Sequence, residues 1–207
     1  MLFYAISDRS LDKNSSLYLQ LKKYISLGVN WILIREKDLN DKQIYLNVLR
    51  IAPYAREKNI KLFVSGRADI AYLSGADGVH LPSDSILVSE VKKKFKKLIV
   101  VKSCHSVGEI KRAEKEGADA VTLSPIFEPQ SKKGLLKPAG IEYLIKAIAT
   151  SKIPVIALGG ISEKNILSVS RTGVYGIAAV NFFNEIDRRK FHKIKEIVKE
   201  GRINEKK

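Results

Sequence analysis

The residues of this chain whose types could do chemistry stand, one after another, behind short apolar runs. They are Asp8, Arg35 with Lys37, Ser65 with Arg67, His80, Ser103 with His105, Ser124 with Ser131 and Lys132, Gly159-Gly160, and Asn181 after Val180. Basic and hydroxyl side chains dominate the set, and such groups suit one or more phosphates. The most informative stretch is IPVIALGGIS, Ile153 to Ser162. Its apolar run, Val155 to Leu158, lies between Pro154 and the glycine pair and reads as a parallel strand buried on both faces, since a half-exposed strand would alternate. Beyond the glycines, Ser162 reads as an N-cap, with Asn165 in the first turn of a helix. A strand, two residues without side chains and a helix N-terminus bring backbone N–H groups and a partial positive charge close to a ligand, which is what holding a phosphate takes. A plain tight turn is the competing reading of the same glycines. No pair of carboxylates has metal-ligand spacing, and no cysteine or histidine cluster suggests zinc.

Alternating runs must position these residues. Leu2 to Ser7, Trp31 to Ile34, Leu62 to Val64, Gly78 to Leu81, Leu98 to Val101, Ala120 to Leu123, Val155 to Leu158 and Gly176 to Val180 read as strands. The first helix is expected from a Ser15 or Ser16 cap to Leu27, stopped by Gly28, and the second from Asn40 or Asp41 through Ala55, kinked at Pro53. A short helix reaches Gly75; others cover Ile86 to Lys94, Ser106 to Gly117, Ile141 to Ala149, the stretch up to Gly173, and Arg188 to Glu200. The phrases GADGV (75–79), GADAV (117–121) and GVYGI (173–177) recur between helix and strand. About eight such alternations in 207 residues, with short links and no break in composition, predict a single (β/α)8 TIM barrel over residues 1–207, of which about 201–207 is a frayed charged tail. A doubly wound open sheet is the runner-up. In a barrel the site lies at the C-terminal strand ends. The longest irregular stretch, Ser124 to about Pro138, is expected to be a mobile cover that orders when ligand binds.

Composition narrows the class. Hydrophobic content of 45% and charge of 29% belong to a folded soluble chain rather than a disordered one. The net charge is +15 and the pI about 9.8, a balance that can attract nucleic acid or anionic metabolites. The lysines, however, are mixed with glutamates over several helices, and no helix-turn-helix, zinc finger or interleaved aromatic face accompanies them. A solvated surface with some attraction for a phosphorylated substrate is therefore expected, with no nucleic-acid partner. No apolar run approaches the roughly 20 residues of a membrane helix. The start, LFYAI, shows no basic leader, and Cys104 is the only cysteine, so a reducing cytoplasm is expected and an intrachain disulfide is not. Cys104 reads as a small buried filler and His192 as a surface residue. Oligomeric state is left open.

Five stretches carry a resemblance: LIREKD (33–38), GRADIAYLSGADGVHLPS (66–83), SCHS (103–106), GADAVTLSPIFEPQSKKG (117–134) and IPVIALGGIS (153–162). Together, in order and at family spacing over nearly the whole chain, they resemble the thiamine phosphate synthase/TenI family. The resemblance implies a (β/α)8 barrel in thiamine biosynthesis. The family's synthases are transferases that join a hydroxymethylpyrimidine diphosphate to a thiazole phosphate carboxylate, with Mg²⁺ on the leaving diphosphate. TenI-like members lack that activity, and one type is a thiazole tautomerase.

Set against the family pattern, the chain keeps one half of the site and loses the other. Synthases have Q-L-R-E-K where this chain has Leu33 in place of Gln but retains Arg35 and Lys37. N-D-R is Ser65-Gly66-Arg67, so a metal-binding Asp is Gly66; the second metal Asp of H-L-G-Q-x-D aligns with Ser85, and Asp84, one residue early, is the remaining candidate metal ligand. The thiazole-phosphate side keeps Ser131, Lys132, Gly159, Gly160 and Val180, with Asn181 in place of Ser. Mg²⁺ needs hard oxygen ligands, usually one or two carboxylates besides phosphate. Without them a departing diphosphate would rest on Arg35 and Lys37 alone, and losing one preorganised donor can cost about 10²-fold. A TenI-like, thiazole tautomerase-type role is therefore expected, with no cofactor; the alternatives are a working synthase using Mg²⁺ and pyrimidine diphosphate, or a non-catalytic phosphate-ligand binder. A tautomerase moves a proton off one atom and onto another, which is histidine chemistry. The family's tautomerase histidine aligns with Pro125, so His105 and His80 are the candidates here, each with a hydrogen-bonded structural role as the competing reading. An epimerase of the ribulose-phosphate type would need paired Asp and His ligands, which are not found.

Overall fold

The computed structural model describes residues 1–11, 16–128 and 137–204, the side chains of 202–204 excepted. Eight parallel strands close into a barrel in sequence order: β1 (Leu2–Ile6), β2 (Trp31–Ile34), β3 (Lys61–Ser65), β4 (Gly78–Leu81), β5 (Ile99–Cys104), β6 (Ala120–Leu123), β7 (Val155–Leu158) and β8 (Gly176–Ala179). Closure is made by Leu2 to Ala5 of β1 in register with Gly176 to Ala179 of β8. The expected (β/α)8 barrel is the fold, and the open sheet is ruled out. Outside it lie α1 (Leu17–Leu27), α2 (Asp41–Glu57), α3 (Ala68–Leu73), α4 (Val88–Lys94), α5 (Val107–Lys115), α6 (Gly140–Thr150), α7 (Ile166–Arg171), α8 (Asn181–Glu185) and α9 (Arg188–Asn204). No described helix is long and apolar enough to cross a membrane.

Local chemistry accounts for several boundaries. Ser16 caps α1 by accepting the Leu19 N–H at 3.3 Å, and Gly28 ends it at φ 74°, where a side chain would be strained. Asn40 and Gln43 form a reciprocal capping box at α2, which continues past Pro53 to Glu57. Several boundaries differ from the sequence expectation. Strand β5 runs on to Cys104, so Ser103 sits in the strand rather than after it. Helix α7 begins at Ile166 because the Asn165 amide is spent on the turn itself: it accepts the Ser162 N–H at 2.9 Å and donates to the Gly160 carbonyl at 2.8 Å. After β8 the chain does not extend through Val180 but turns into α8, with Val180 at φ −96°, ψ −73°. The expected tail is helical through Asn204, since Gly201 does not take the positive φ that would make it a stop.

Alternation within the strands sorts the core into two layers. Tyr4, Ile6, Leu33, Phe63, Val101, Ala120, Ile156 and Ala178 point into the barrel. Their neighbours, such as Phe3, Ala5, Ile32 and Val64, pack against the helices. Tyr4 lies 5.4 Å from Trp31 and 5.3 Å from Phe63 between ring centres, and Gly78 leaves room for the Phe63 ring, which an added Cβ would meet at 2.6 Å. The barrel is thus filled, and a ligand must sit above it.

Candidate active site at the C-terminal rim

Above this plug a cavity of about 830 Å³ opens at the C-terminal strand ends. Arg35, Lys37, His80, Ser103, His105, Gly159, Gly160, Val180 and Asn181, all singled out in the sequence, wall it together. Arg67 and Asp84 do not. Ser131 and Lys132 lie outside the described residues.

The floor is His80, 4% exposed. Its Nδ1 lies 3.3 Å from the Tyr4 hydroxyl, and its Nε2 lies 3.0 Å from Ser103 Oγ and 3.3 Å from Thr122 Oγ1. Burial, and then the charge of Arg35, pull its pKa down to about 3. The ring is neutral near pH 7, and core hydroxyls engage both nitrogens, so His80 has the surroundings of a group that positions Ser103. His105 is placed differently. It is exposed at the cavity wall, and its Nδ1 lies 2.7 Å from the Ser124 carbonyl. A carbonyl only accepts, so in the neutral ring Nδ1 carries the proton and Nε2 keeps a lone pair. Ser106 caps α5 next to it through the Glu109 N–H at 3.2 Å, while Glu109 returns to the His105 N–H at 2.7 Å.

Between Arg35 and Lys37 lies a residue that the sequence reading passed over. Glu36 is buried, yet reaches the cavity wall. It accepts the Ser7 hydroxyl at 2.5 Å and the Arg9 N–H at 3.1 Å, while Ser7 Oγ accepts the Arg35 N–H at 3.0 Å. Burial pushes its pKa up, against the pull of those two hydrogen bonds. The signal available in the sequence was its place between two cavity cations.

The turn after β7 is held by packing as well as by backbone freedom. Gly159 has φ 97° and Gly160 φ 64°. A Cβ on Gly159 would come within 2.7 Å of Pro125 Cα, and one on Gly160 within 2.7 Å of Phe127 Cβ. Ile126 N–H donates to the Leu158 carbonyl at 2.9 Å and Phe127 N–H to the Gly159 carbonyl at 3.1 Å. The far foot of the same loop is tied to the near one by Ala139 N–H on Pro125 O at 2.8 Å and Gly140 N–H on Ile126 O at 3.0 Å. Both ends of the expected cover are therefore anchored, and its middle, 129–136, falls outside the described residues. Beside this turn stands α8, too short to be stable alone. Asn184 holds it: Oδ1 accepts from Gln20 at 2.7 Å and Tyr24 at 2.8 Å, and Nδ2 donates to the Val180 carbonyl at 3.3 Å. Lys23 donates to the Asn184 carbonyl, and Phe182 and Phe183 are buried against Phe191.

Across the cavity, Ser65, Pro82 and Ser83 line the wall, but Arg67 and Ser85 turn away from it. The Arg67 guanidinium is held by Asp69 and by Asp41 of α2, which strengthen its charge and draw it off the cavity. Ser85 Oγ accepts from Lys102 Nζ at 2.9 Å, and neither residue lines the cavity. Gly66 has no ligand atom. Among the described residues no group of three His, Cys, Asp or Glu is placed to hold a metal ion. Gly66, Arg67 and Ser85 do not fit Mg²⁺, which wants carboxylates beside the phosphate. Cys104 is buried and its thiol is pushed up to about 12 by that burial, which makes it inert; His192 is exposed on α9.

Fold and cavity define a (β/α)8 barrel whose site adjoins the turns after strands 7 and 8, where such barrels frequently hold phosphate. The chain belongs to the thiamine monophosphate synthase family, whose model matches residues 3–183. It is 40% identical over 183 residues to the putative thiamine-phosphate synthase 2 of Aquifex aeolicus, covering 88% of this chain and 97% of that protein. It is 37% identical over 157 residues to the thiamine-phosphate synthase of Pelotomaculum thermopropionicum, covering 75% and 72%. The solved thiamine phosphate pyrophosphorylase of Pyrococcus furiosus superposes with a TM-score of 0.86 at 30% identity, over 97% of this chain and 96% of that one.

Proposed function

We propose that this protein binds a thiazole phosphate of thiamine biosynthesis and acts on its thiazole in the TenI manner, in the cytoplasm, without coupling it to a pyrimidine diphosphate. The observation that carries the reading is the asymmetry of the rim. The Gly159-Gly160 turn and the start of α8 wall the cavity, whereas Ser85 and Asp84 lie off it and Gly66 offers no ligand. The N–H groups in the first turn of a helix have no intrahelical acceptor, so α8 and the glycine turn suit the phosphate. Arg35 and Lys37 then face the carboxylate end of the ligand. A tautomeric shift takes one proton from a ring carbon and returns one elsewhere, with no change of oxidation state. His105 Nε2 accepts the first, because the Ser124 carbonyl keeps the other proton on Nδ1. His80 and Ser103 orient from below.

The synthase reading is the second. It is favoured by the names of the relatives and by the retention of Arg35 and Lys37. Purified protein given thiazole phosphate carboxylate, pyrimidine diphosphate and Mg²⁺ separates the two. The expected result is thiazole binding and His105-dependent isomerisation, with His105→Asn lowering kcat at least 100-fold at little change in KM. Robust Mg²⁺-dependent thiamine phosphate formation would instead make the protein a synthase.

A further inference from the structure

Glu36 is a buried carboxylate at the wall of the cavity that Arg35 and Lys37 also line, and it has no cation of its own. Its two hydrogen-bond donors, the Ser7 hydroxyl and the Arg9 amide, are neutral. Among the described residues, neither Arg35 nor Lys37 forms an ion pair with it, and the Arg9 guanidinium is engaged by Asp38. The charged and titratable groups near it are Asp8 and Arg9 after β1, Arg35, Lys37 and Asp38 after β2, and Tyr24 on α1; His80, His105, Glu128, Glu163 and Glu185 stand elsewhere on the cavity wall. Asp8 and Asp38 add negative charge, and burial withholds the water that would stabilise an ionised carboxylate. An anionic ligand in the same cavity brings a further like charge.

We propose that Glu36 takes up one proton when an anion fills the cavity, so that ligand binding is coupled to protonation of this carboxyl. The inference rests on the anion-binding reading given above. Each carboxylate oxygen has two acceptor sites, so a proton taken from solvent onto Oε2 leaves the Ser7 and Arg9 hydrogen bonds in place. Protonation also turns Glu36 from an acceptor that repels a phosphate oxygen into a donor that can hold one. Linkage then requires affinity for the anion to fall as pH rises between the free and bound midpoints of Glu36.

Sulfate is the probe, because it stays a dianion across the range and any proton change belongs to the protein. Its Kd would be measured from pH 4 to 8 through the amide resonances of Arg35 and Gly160, in the unaltered protein and in Glu36→Gln. His105 is present in both, so the difference between them is the measure. The unaltered protein is expected to lose at least tenfold more affinity over this range than Glu36→Gln. A direct titration of the Glu36 side-chain carbon in labelled unaltered protein needs no variant, and its midpoint is expected to rise when sulfate is added. Equal pH profiles, or a Glu36 midpoint that sulfate leaves in place while Arg35 and Gly160 respond, overturn the coupling alone. Sulfate that moves neither amide at any pH overturns the anion reading and the coupling with it.

Discussion

Two arcs of one rim answer to different rules in this barrel. The β7–β8 arc is built from backbone: two glycines at positive φ, the loop after β6 lying on them, and a short helix pinned by Asn184. The β3–β4 arc depends on side chains: Ser65, Pro82 and Ser83 reach the cavity, but position 66 is glycine, Arg67 is turned outward by Asp41 and Asp69, and Ser85 is bound to Lys102. An arc made of backbone keeps its ligand geometry as long as the fold persists. An arc made of side chains can change function while the strands stay in register.

The largest expected effect tests how firmly the β4 strand is rooted. His80 has a pKa of about 3 when folded and about 6.5 when unfolded. Between those values the unfolded chain binds more protons, so stability is full above about pH 6.5 and is lost as pH falls toward 3, by roughly 4–5 kcal/mol in all. Urea unfolding from pH 7 to 4 is expected to show this slope, and His80→Gln to flatten it. Parallel slopes would assign the acid sensitivity elsewhere.

Next comes a pair of glycines with the same handedness and different neighbours. Gly159→Val, whose Cβ would overlap Pro125, is expected to cost about 3 kcal/mol or more, a fall in Tm of roughly 6–12 °C. Gly66→Ala meets only Pro82, at 3.7 Å, so the left-handed φ alone is felt, at about 1 kcal/mol. Equal losses in calorimetry would break the contrast between the arcs.

The metal sharpens it. Mg²⁺ is expected to have no measurable effect on the unaltered protein. Gly66→Asp with Ser85→Asp is not expected to bind it either, because Lys102 would pair with the new carboxylate at position 85. Adding Lys102→Met should release that carboxylate and tighten Mg²⁺ or Mn²⁺ binding at least tenfold in calorimetry. Metal binding by the double variant would show that Lys102 does not hold position 85 outward. The smallest effect belongs to Arg67→Ala, expected to change phosphate-ligand affinity less than twofold while Arg35→Ala weakens it tenfold or more. A comparable loss in both would place Arg67 back at the ligand.

Read alone, the sequence determined what is local. Apolar runs three to six residues long set the strands, Ser16, Asn40 and Ser106 set helix starts, and Gly28 set a stop. Eight such units in order leave little choice but a barrel, and so the candidates at the strand ends were legible. What only the tertiary structure decided is which way side chains point and what meets them from afar. Arg67 faces out because Asp41 on another helix reaches it, and Glu36 is buried because β1 brings Ser7 over it. The segment after β8 is helical because Asn184 meets Gln20 and Tyr24, more than 150 residues earlier in the chain. Periodicity and capping act within a turn or two, and the sequence carries them openly. Ion pairs and buried hydrogen bonds depend on partners that only barrel closure brings together.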